Sequence, residues 1–214
     1  MKLIVFDLDG TLLNTLQDLT DSVNFAMDEL GLNRYTAEQV RLMVGNGVAK
    51  LMERAVTEAD ICLKDKAISL QRKYYAEHNG DNTFPYAGIE DMLRSLKRLG
   101  YVIAVHTNKD QNAAQTLCSV FFDGLIDYVC GTTDDGITKP NPEKILRLAE
   151  SLSAEISNVV YCGDSDVDIA TAHNLGAECI SVTWGFRDGK FLQDCGAKHL
   201  VSAPEEVVKT ALGL

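Results

Sequence analysis

The sequence predicts an α/β fold on a parallel sheet, with an all-helical domain inserted early in the chain. Three observations carry this. Short, near-continuous apolar runs recur at LIVF (3–6), YVIAVH (101–106), YVC (128–130), NVVYC (158–162), CISV (179–182) and HLV (199–201). Helical patterns separate them, and strands apolar on both faces are those that a sheet buries between two layers of helices. The rhythm breaks once: residues 12–87 separate Thr11 from the next helix of the series, GIEDMLRSLKRLG (88–100).

Each element can be justified in chain order. The first run ends in two acids, Asp7-Leu8-Asp9, followed by Gly10 and Thr11. In the long segment that follows, Leu16, Leu19, Val23, Met27 and Leu30 keep one helical face apolar. Thr36-x-x-Gln39 has the form of a capping box that opens a second helix, broken at Gly45-Asn46-Gly47. A third helix fits KDKAISLQRKYYAEH (64–78), and DNTFPYAG (81–88), rich in turn formers, returns the chain to the sheet. These signals place an α/β core at 1–14 and 84–214 and a helical cap domain at 15–83. Farther on, Asn141-Pro142-Glu143 supplies a cap, a first-turn proline and a first-turn acid ahead of KILRLAESL. Gly100, Gly176 and Gly196 stand where helix C-termini stop.

Composition narrows the function. A hydrophobic content of 46% with 24% charged residues describes an ordinary soluble globular protein. The net charge of −11 and a pI near 4.7 disfavour nucleic acid or an anionic membrane as partner. The apolar run after Met1-Lys2 is too short for a signal peptide and no stretch nears membrane-spanning length, so a cytoplasmic location is expected. The cysteines at 62, 118, 130, 162, 179 and 195 include no CxxC pair, which suits reduced thiols. His78, His173 and His199 lack metal-ligand spacing, and His106 reads as a satisfied core histidine. GNGVAK lacks the spacing of a nucleotide phosphate loop.

Ligands of open α/β sheets bind beyond the carboxyl ends of the strands. Those ends are polar here: Asp7 and Asp9, then Thr107-Asn108-Lys109, then Lys139 in a loop, then Asp164 in GDSDVD. Two carboxylates about 5 Å apart repel by about 3 kcal/mol at an effective dielectric near 20. A cation beside them would make the pair tolerable, and oxygen ligands of this kind suit Mg²⁺. One acid is then free to attack phosphorus and form an aspartyl-phosphate, while the other carries the leaving group's proton. Thr107, Asn108 and Lys139 could share the charge of the phosphoryl oxygens with the metal. The Gly45-Asn46-Gly47 break also reads as a cap loop over the substrate, with Gly45, Asn46, Lys50 or Arg54 near it.

DLDGTL, a strand-end Thr107, Lys139 in KPNP and GDSDVD, in that order, resemble the four motifs of the haloacid dehalogenase superfamily. The resemblance covers essentially the whole chain, including a helical cap after the first motif. VGNGVAKLMERA (44–55), YYAEHNGDNTFPYAG (74–88) and WGFRDG (184–189) are similar to its phosphoglycolate phosphatase branch. The resemblance implies a Rossmann-like core with Asp7 as nucleophile and Mg²⁺ ligand. It makes Asp9 the general acid/base and a metal ligand through its backbone carbonyl, Asp164 the remaining metal ligand, and Asp168 a support behind them. Thr107 and Lys139 would hold the phosphoryl oxygens. Asn14 departs from the pattern, where relatives often carry Asp. The implied activity is Mg²⁺-dependent hydrolysis of a small phosphorylated metabolite, foremost 2-phosphoglycolate, by a monomer or homodimer. Alternatives stay open at this point: another phosphatase or phosphomutase of the superfamily, acting on sugar phosphates, nucleotides or pyrophosphate, or a non-catalytic phospho-acceptor or binding protein.

Overall fold

Why the larger part of the chain folds as it does is visible in its first strand, where Leu3, Ile4, Val5 and Phe6 are all fully buried. The computed structural model describes residues 1–214 and divides into two compact units, Met1–Leu13 with Pro85–Leu214, and Asn14–Phe84. The chain runs through β1 (Lys2–Phe6), β2 (Leu13–Asn14), α1 (Leu16–Leu30), α2 (Ala37–Met43), α3 (Gly47–Ala55), α4 (Lys64–His78) and β3 (Phe84–Pro85). It continues with α5 (Ile89–Arg98), β4 (Tyr101–Asp110), α6 (Gln111–Phe121), β5 (Tyr128–Thr132), α7 (Glu143–Ser151) and β6 (Val159–Gly163). The last elements are α8 (Asp166–Leu175), β7 (Glu178–Val182), α9 (Gly189–Asp194), β8 (His199–Val201) and α10 (Pro204–Gly213).

The first unit is a parallel sheet in the order β5-β4-β1-β6-β7-β8. Successive side chains of a strand point to opposite faces, so β1 feeds two cores. Ile4 and Phe6 join Leu93 of α5, Leu117 of α6 and Val207 of α10 on one face. Leu3 and Val5 join Ile145 of α7, Leu175 of α8 and Tyr161 of β6 on the other. This is the Rossmann-like α/β arrangement, with the sheet covered on both sides. The helix α8 stops where Gly176 takes a left-handed φ of 77°, with Gly176 N–H on His173 O and Ala177 N–H on Ala172 O.

One strand differs from its sequence reading. The apolar run of β4 ends at His106, yet the strand continues to Asp110 through four polar residues. Its pairing with β5 shifts register between His106 and Asp110, and Gln111 fills the irregularity, accepting from Gly131 N–H and donating to Val129 O.

The second unit is helical and has its own core of Leu19, Val23, Met27, Val40, Leu51, Met52, Ala67 and Tyr75. Thr36 and Gln39 form the reciprocal capping box at the start of α2. Asn24 clasps Tyr35 with both ends of its amide, and the buried Asp18 accepts from Asn82 N–H and Thr83 Oγ1. No helix of the chain is long and apolar enough to cross a membrane, and all six cysteines are free thiols.

Candidate active site

The neighbouring strands β1 and β6 lead into the acids, β4 carries Thr107, Asn108 and Lys109 beside them, and the segments that follow hold those acids in place. Asp7 N–H donates to Cys162 O at 2.9 Å, so the β1–β6 ladder continues to the residue that bears the first carboxyl. One oxygen of that carboxyl accepts from Leu8 N–H at 2.7 Å and lies 2.8 Å from Lys139 Nζ. The same ammonium lies 2.7 Å from Asp168 Oδ1. Asp168 is fixed from its other side as the third residue of a capping box, accepting from Ser165 N–H and Ser165 Oγ at the start of α8.

Asp164 is held from two directions. Thr11 Oγ1 donates to one oxygen at 2.9 Å and Phe186 N–H to the other at 2.6 Å. The contact is close-packed: a Cβ at Gly185 would fall 2.3 Å from Gly10 O and 2.4 Å from Asp164 Oδ2, so only glycine fits there. Trp184 Nε1 completes the clamp by donating to Thr11 O.

Asp7, Asp164 and Asp168 are all buried, and a ligand oxygen from each lies within 4.8 Å of the others. With Lys139 as the cation among them, three ionised carboxylates would leave the group two positive charges short. Desolvation therefore pushes Asp7 well above the usual carboxylate range, with the charges of Asp168 and Asp164 adding to it and Lys139 opposing. Desolvation and Asp168 push Asp164 up to about 7, against the bonds from Phe186 and Thr11. Burial alone would lower the Lys139 ammonium, but Asp168 and Asp7 outweigh it and hold the group above its ordinary range. A deficit of two charges among hard oxygen donors fits a divalent cation.

Asp9 stands apart from this group. Its carboxylate faces Lys109 Nζ, at 2.8 Å through Oδ1 and 3.1 Å through Oδ2. Thr107 is buried, and its hydroxyl oxygen accepts from Lys109 N–H. Asn108 uses its amide to hold the Lys139 backbone, accepting from Lys139 N–H at 2.7 Å and donating to Lys139 O at 3.3 Å. Gly45, Asn46 and Lys50 belong to the helical unit, where Arg54 donates to Asn46 Oδ1 and to Met43 O, and Lys50 pairs with Glu53. His106 is buried with its Nδ1 3.1 Å from the Tyr161 hydroxyl, and burial lowers it to about 3, so it is a neutral core residue.

Comparison with known proteins agrees with this geometry. Residues 4–182 match the haloacid dehalogenase-like hydrolase family. The chain belongs to that family. The phosphoglycolate phosphatase of Neisseria meningitidis is 35% identical over 196 residues, spanning 88% of this chain and 83% of the relative. That of Aquifex aeolicus is 30% identical over 187 residues, spanning 87% and 86%. The crystal structure of a candidate phosphoglycolate phosphatase from Lactobacillus delbrueckii subsp. bulgaricus superposes over the full length of both chains with a TM-score of 0.94 at 32% identity. This haloacid dehalogenase-like protein is thus a phosphatase-type enzyme, a phosphoric monoester hydrolase.

Several residues of the site escape sequence reasoning. Thr11 and Phe186 serve Asp164 from 153 and 22 positions away, Phe186 through a backbone N–H that no side-chain pattern reports. Lys109 meets Asp9 across 100 positions, although its place directly after Thr107-Asn108 was a usable signal. Asp168 shares the buried carboxylate group with Asp7 and Asp164 and is tied to the same Lys139 ammonium as Asp7.

Proposed function

We propose that this hydrolase is a Mg²⁺-dependent phosphomonoesterase whose substrate is 2-phosphoglycolate, working in the cytoplasm as a monomer or homodimer. The observation that carries the chemistry is the buried Asp7–Asp164–Asp168 group, two charges short, with Lys139 bonded to Asp7. In this reading Mg²⁺ is held by the Asp7 and Asp164 carboxylates and the Asp9 backbone carbonyl, with Asp168 behind. When bound, it neutralises charge on the carboxylates and on the phosphoryl oxygens.

Asp7 attacks phosphorus. The new bond runs from a carboxylate oxygen to phosphorus as the ester P–O bond breaks, and Asp9 gives the leaving glycolate oxygen its proton. Asp9 then takes a proton from the water that attacks the aspartyl-phosphate, which releases inorganic phosphate and restores Asp7. Lys139 and Thr107 hold the phosphoryl oxygens. Asn108 contributes by fixing the Lys139 backbone, which places the ammonium without a search.

The relatives support this choice of substrate, since they bear the name phosphoglycolate phosphatase at 30% and 35% identity. Gly45, Asn46 and Lys50 are proposed to recognise the glycolate end, with Arg54 holding the loop through Asn46 and Met43. The test is phosphate release from 2-phosphoglycolate, sugar phosphates, nucleotides and pyrophosphate, with Mg²⁺ and with EDTA. Mg²⁺-dependent preference for 2-phosphoglycolate supports the full reading. Preference for another ester keeps the chemistry and replaces the substrate, and release from none of them refutes both.

A further inference from the structure

The Asp9–Lys109 pair has a feature that a chance surface ion pair lacks: both partners are nearly sequestered, with the Lys109 side chain 5% and the Asp9 side chain 15% exposed. A lysine that deep gives up most of its hydration, and one bond would not hold it in a single rotamer. Here both carboxylate oxygens lie within reach of the same ammonium, at 2.8 and 3.1 Å. The backbone sets up the meeting. Asp9 follows β1 and Lys109 lies near the end of β4, which is β1's neighbour in the sheet, with Phe6 opposite Val105. The unusual length of β4 matters, because Lys109 lies beyond its apolar run, on the polar extension that reaches Asp110.

We infer that Lys109 is a positioning residue for Asp9, orienting the carboxyl group that transfers the leaving-group proton. The inference rests on the acid/base role of Asp9 given above. That role needs the group to donate a proton from one oxygen in the first half-reaction and to accept one in the second. The other carboxyls of the site have their own holders: Asp7 is held by Leu8 N–H and Lys139, and Asp164 by Thr11 and Phe186. An ammonium only donates. It can therefore stay bonded to whichever oxygen carries no proton, and so keep the carboxyl oriented through both half-reactions. The proton itself moves from Asp9 to the leaving oxygen, and later from water to Asp9; Lys109 gives up none.

The consequence is specific. Replacing Lys109 should slow the step that protonates the leaving group, and slow it most where the leaving group needs that proton. The experiment compares kcat/KM of the wild type, K109M, D9N and the double variant on 2-phosphoglycolate and on p-nitrophenyl phosphate, with Mg²⁺ present. This ratio reports events only up to the first phosphoryl transfer, so the later water-activation step does not enter it. D9N should lose roughly 10²- to 10⁴-fold on 2-phosphoglycolate, as expected for general acid–base catalysis, and much less on the aryl ester. K109M should lose roughly 10- to 100-fold on 2-phosphoglycolate, at least about 10-fold more than on the aryl ester, by the same general-acid logic. Added to D9N, it should cost no more than about 3-fold further, because residues acting through one group are not additive. K109R, which keeps the charge, should recover most of the loss.

Equal losses by K109M on both esters, or a loss that multiplies with that of D9N, would overturn the inference and make Lys109 a structural or phosphate-holding lysine. If D9N itself shows no leaving-group dependence, the acid role of Asp9 fails first, and the positioning role with it. Should K109M not fold, K109R carries the test: its residual defect must fall on 2-phosphoglycolate more than on the aryl ester.

Discussion

Two buried lysines, one on β4 and one in the loop after β5, serve opposite electrostatic purposes. Lys109 is set against Asp9, one basic group beside one acid. Lys139 faces Asp7 and Asp168, with Asp164 completing a group of three acids. The first arrangement is complete as it stands and reads as orientation. The second is short of positive charge, a deficit that a divalent cation would fill. A balanced buried pair contributes little net stability, whereas burial and mutual repulsion raise Asp7 and Asp164 of the unbalanced group above the usual carboxylate range. The difference teaches that burial of a charge is not itself a sign of function; the local charge sum is.

The strongest way to break this comparison is Asp7→Asn. Turnover should fall by roughly 10⁴-fold or more, the scale of losing a nucleophile. The fold should survive, because one acid has been removed from an overloaded group. Steady-state hydrolysis near the wild-type rate, with contamination excluded, would sink the nucleophile assignment.

Next in size is Lys139→Met. It leaves three acids with no ammonium, so kcat should drop roughly 10²- to 10³-fold. Unfolding in urea should show a loss of about 3–5 kcal/mol, the cost of stranding a buried charge. Lys109→Met should be milder, about 1–2 kcal/mol, because Asp9 can reach water. Equal destabilisation by the two variants would erase the distinction drawn between them.

A pH experiment sharpens the same point. Asp164 titrates near 7 in the folded chain, above its ordinary value of 3.8. Between those values the native protein keeps a proton that the unfolded chain has released, so metal-free stability should fall as pH rises across that window. The penalty is absent below the window and complete above it. A divalent cation competes with that proton, so the rise in Tm on adding Mg²⁺ to EDTA-treated protein should be larger at about pH 7.5 than at about pH 5. Equal shifts at both would contradict the charge-deficit account.

The smallest effect expected is a control in the helical unit. Thr36→Ala removes the capping box of α2 and should lower stability by about 1 kcal/mol with turnover unchanged.

Much of this architecture was legible because it is written in local patterns. The third cap helix matches Lys64–His78 from end to end, and the capping box at Thr36 and Gln39 is present as read. The apolar runs mark the strands to within a residue or two, except in β4. β4 escaped because Thr107, Asn108, Lys109 and Asp110 carry no apolar signal: that stretch is strand by virtue of its neighbours. The site acids could be listed from the strand ends, but not how they divide. Whether Asp9 or Asp168 joins Asp7 and Asp164 depends on which lysine reaches which acid across a sheet, and no spacing in the sequence encodes that.

The most direct test of the central claim is to mix the enzyme with 2-phosphoglycolate and Mg²⁺, quench with acid within a turnover, and map the protein by mass spectrometry. The account predicts one added phosphoryl group on the peptide that contains Asp7, lost on longer incubation and absent from Asp7→Asn. Turnover without a phosphorylated enzyme at any quench time, or a label on another residue, would contradict it.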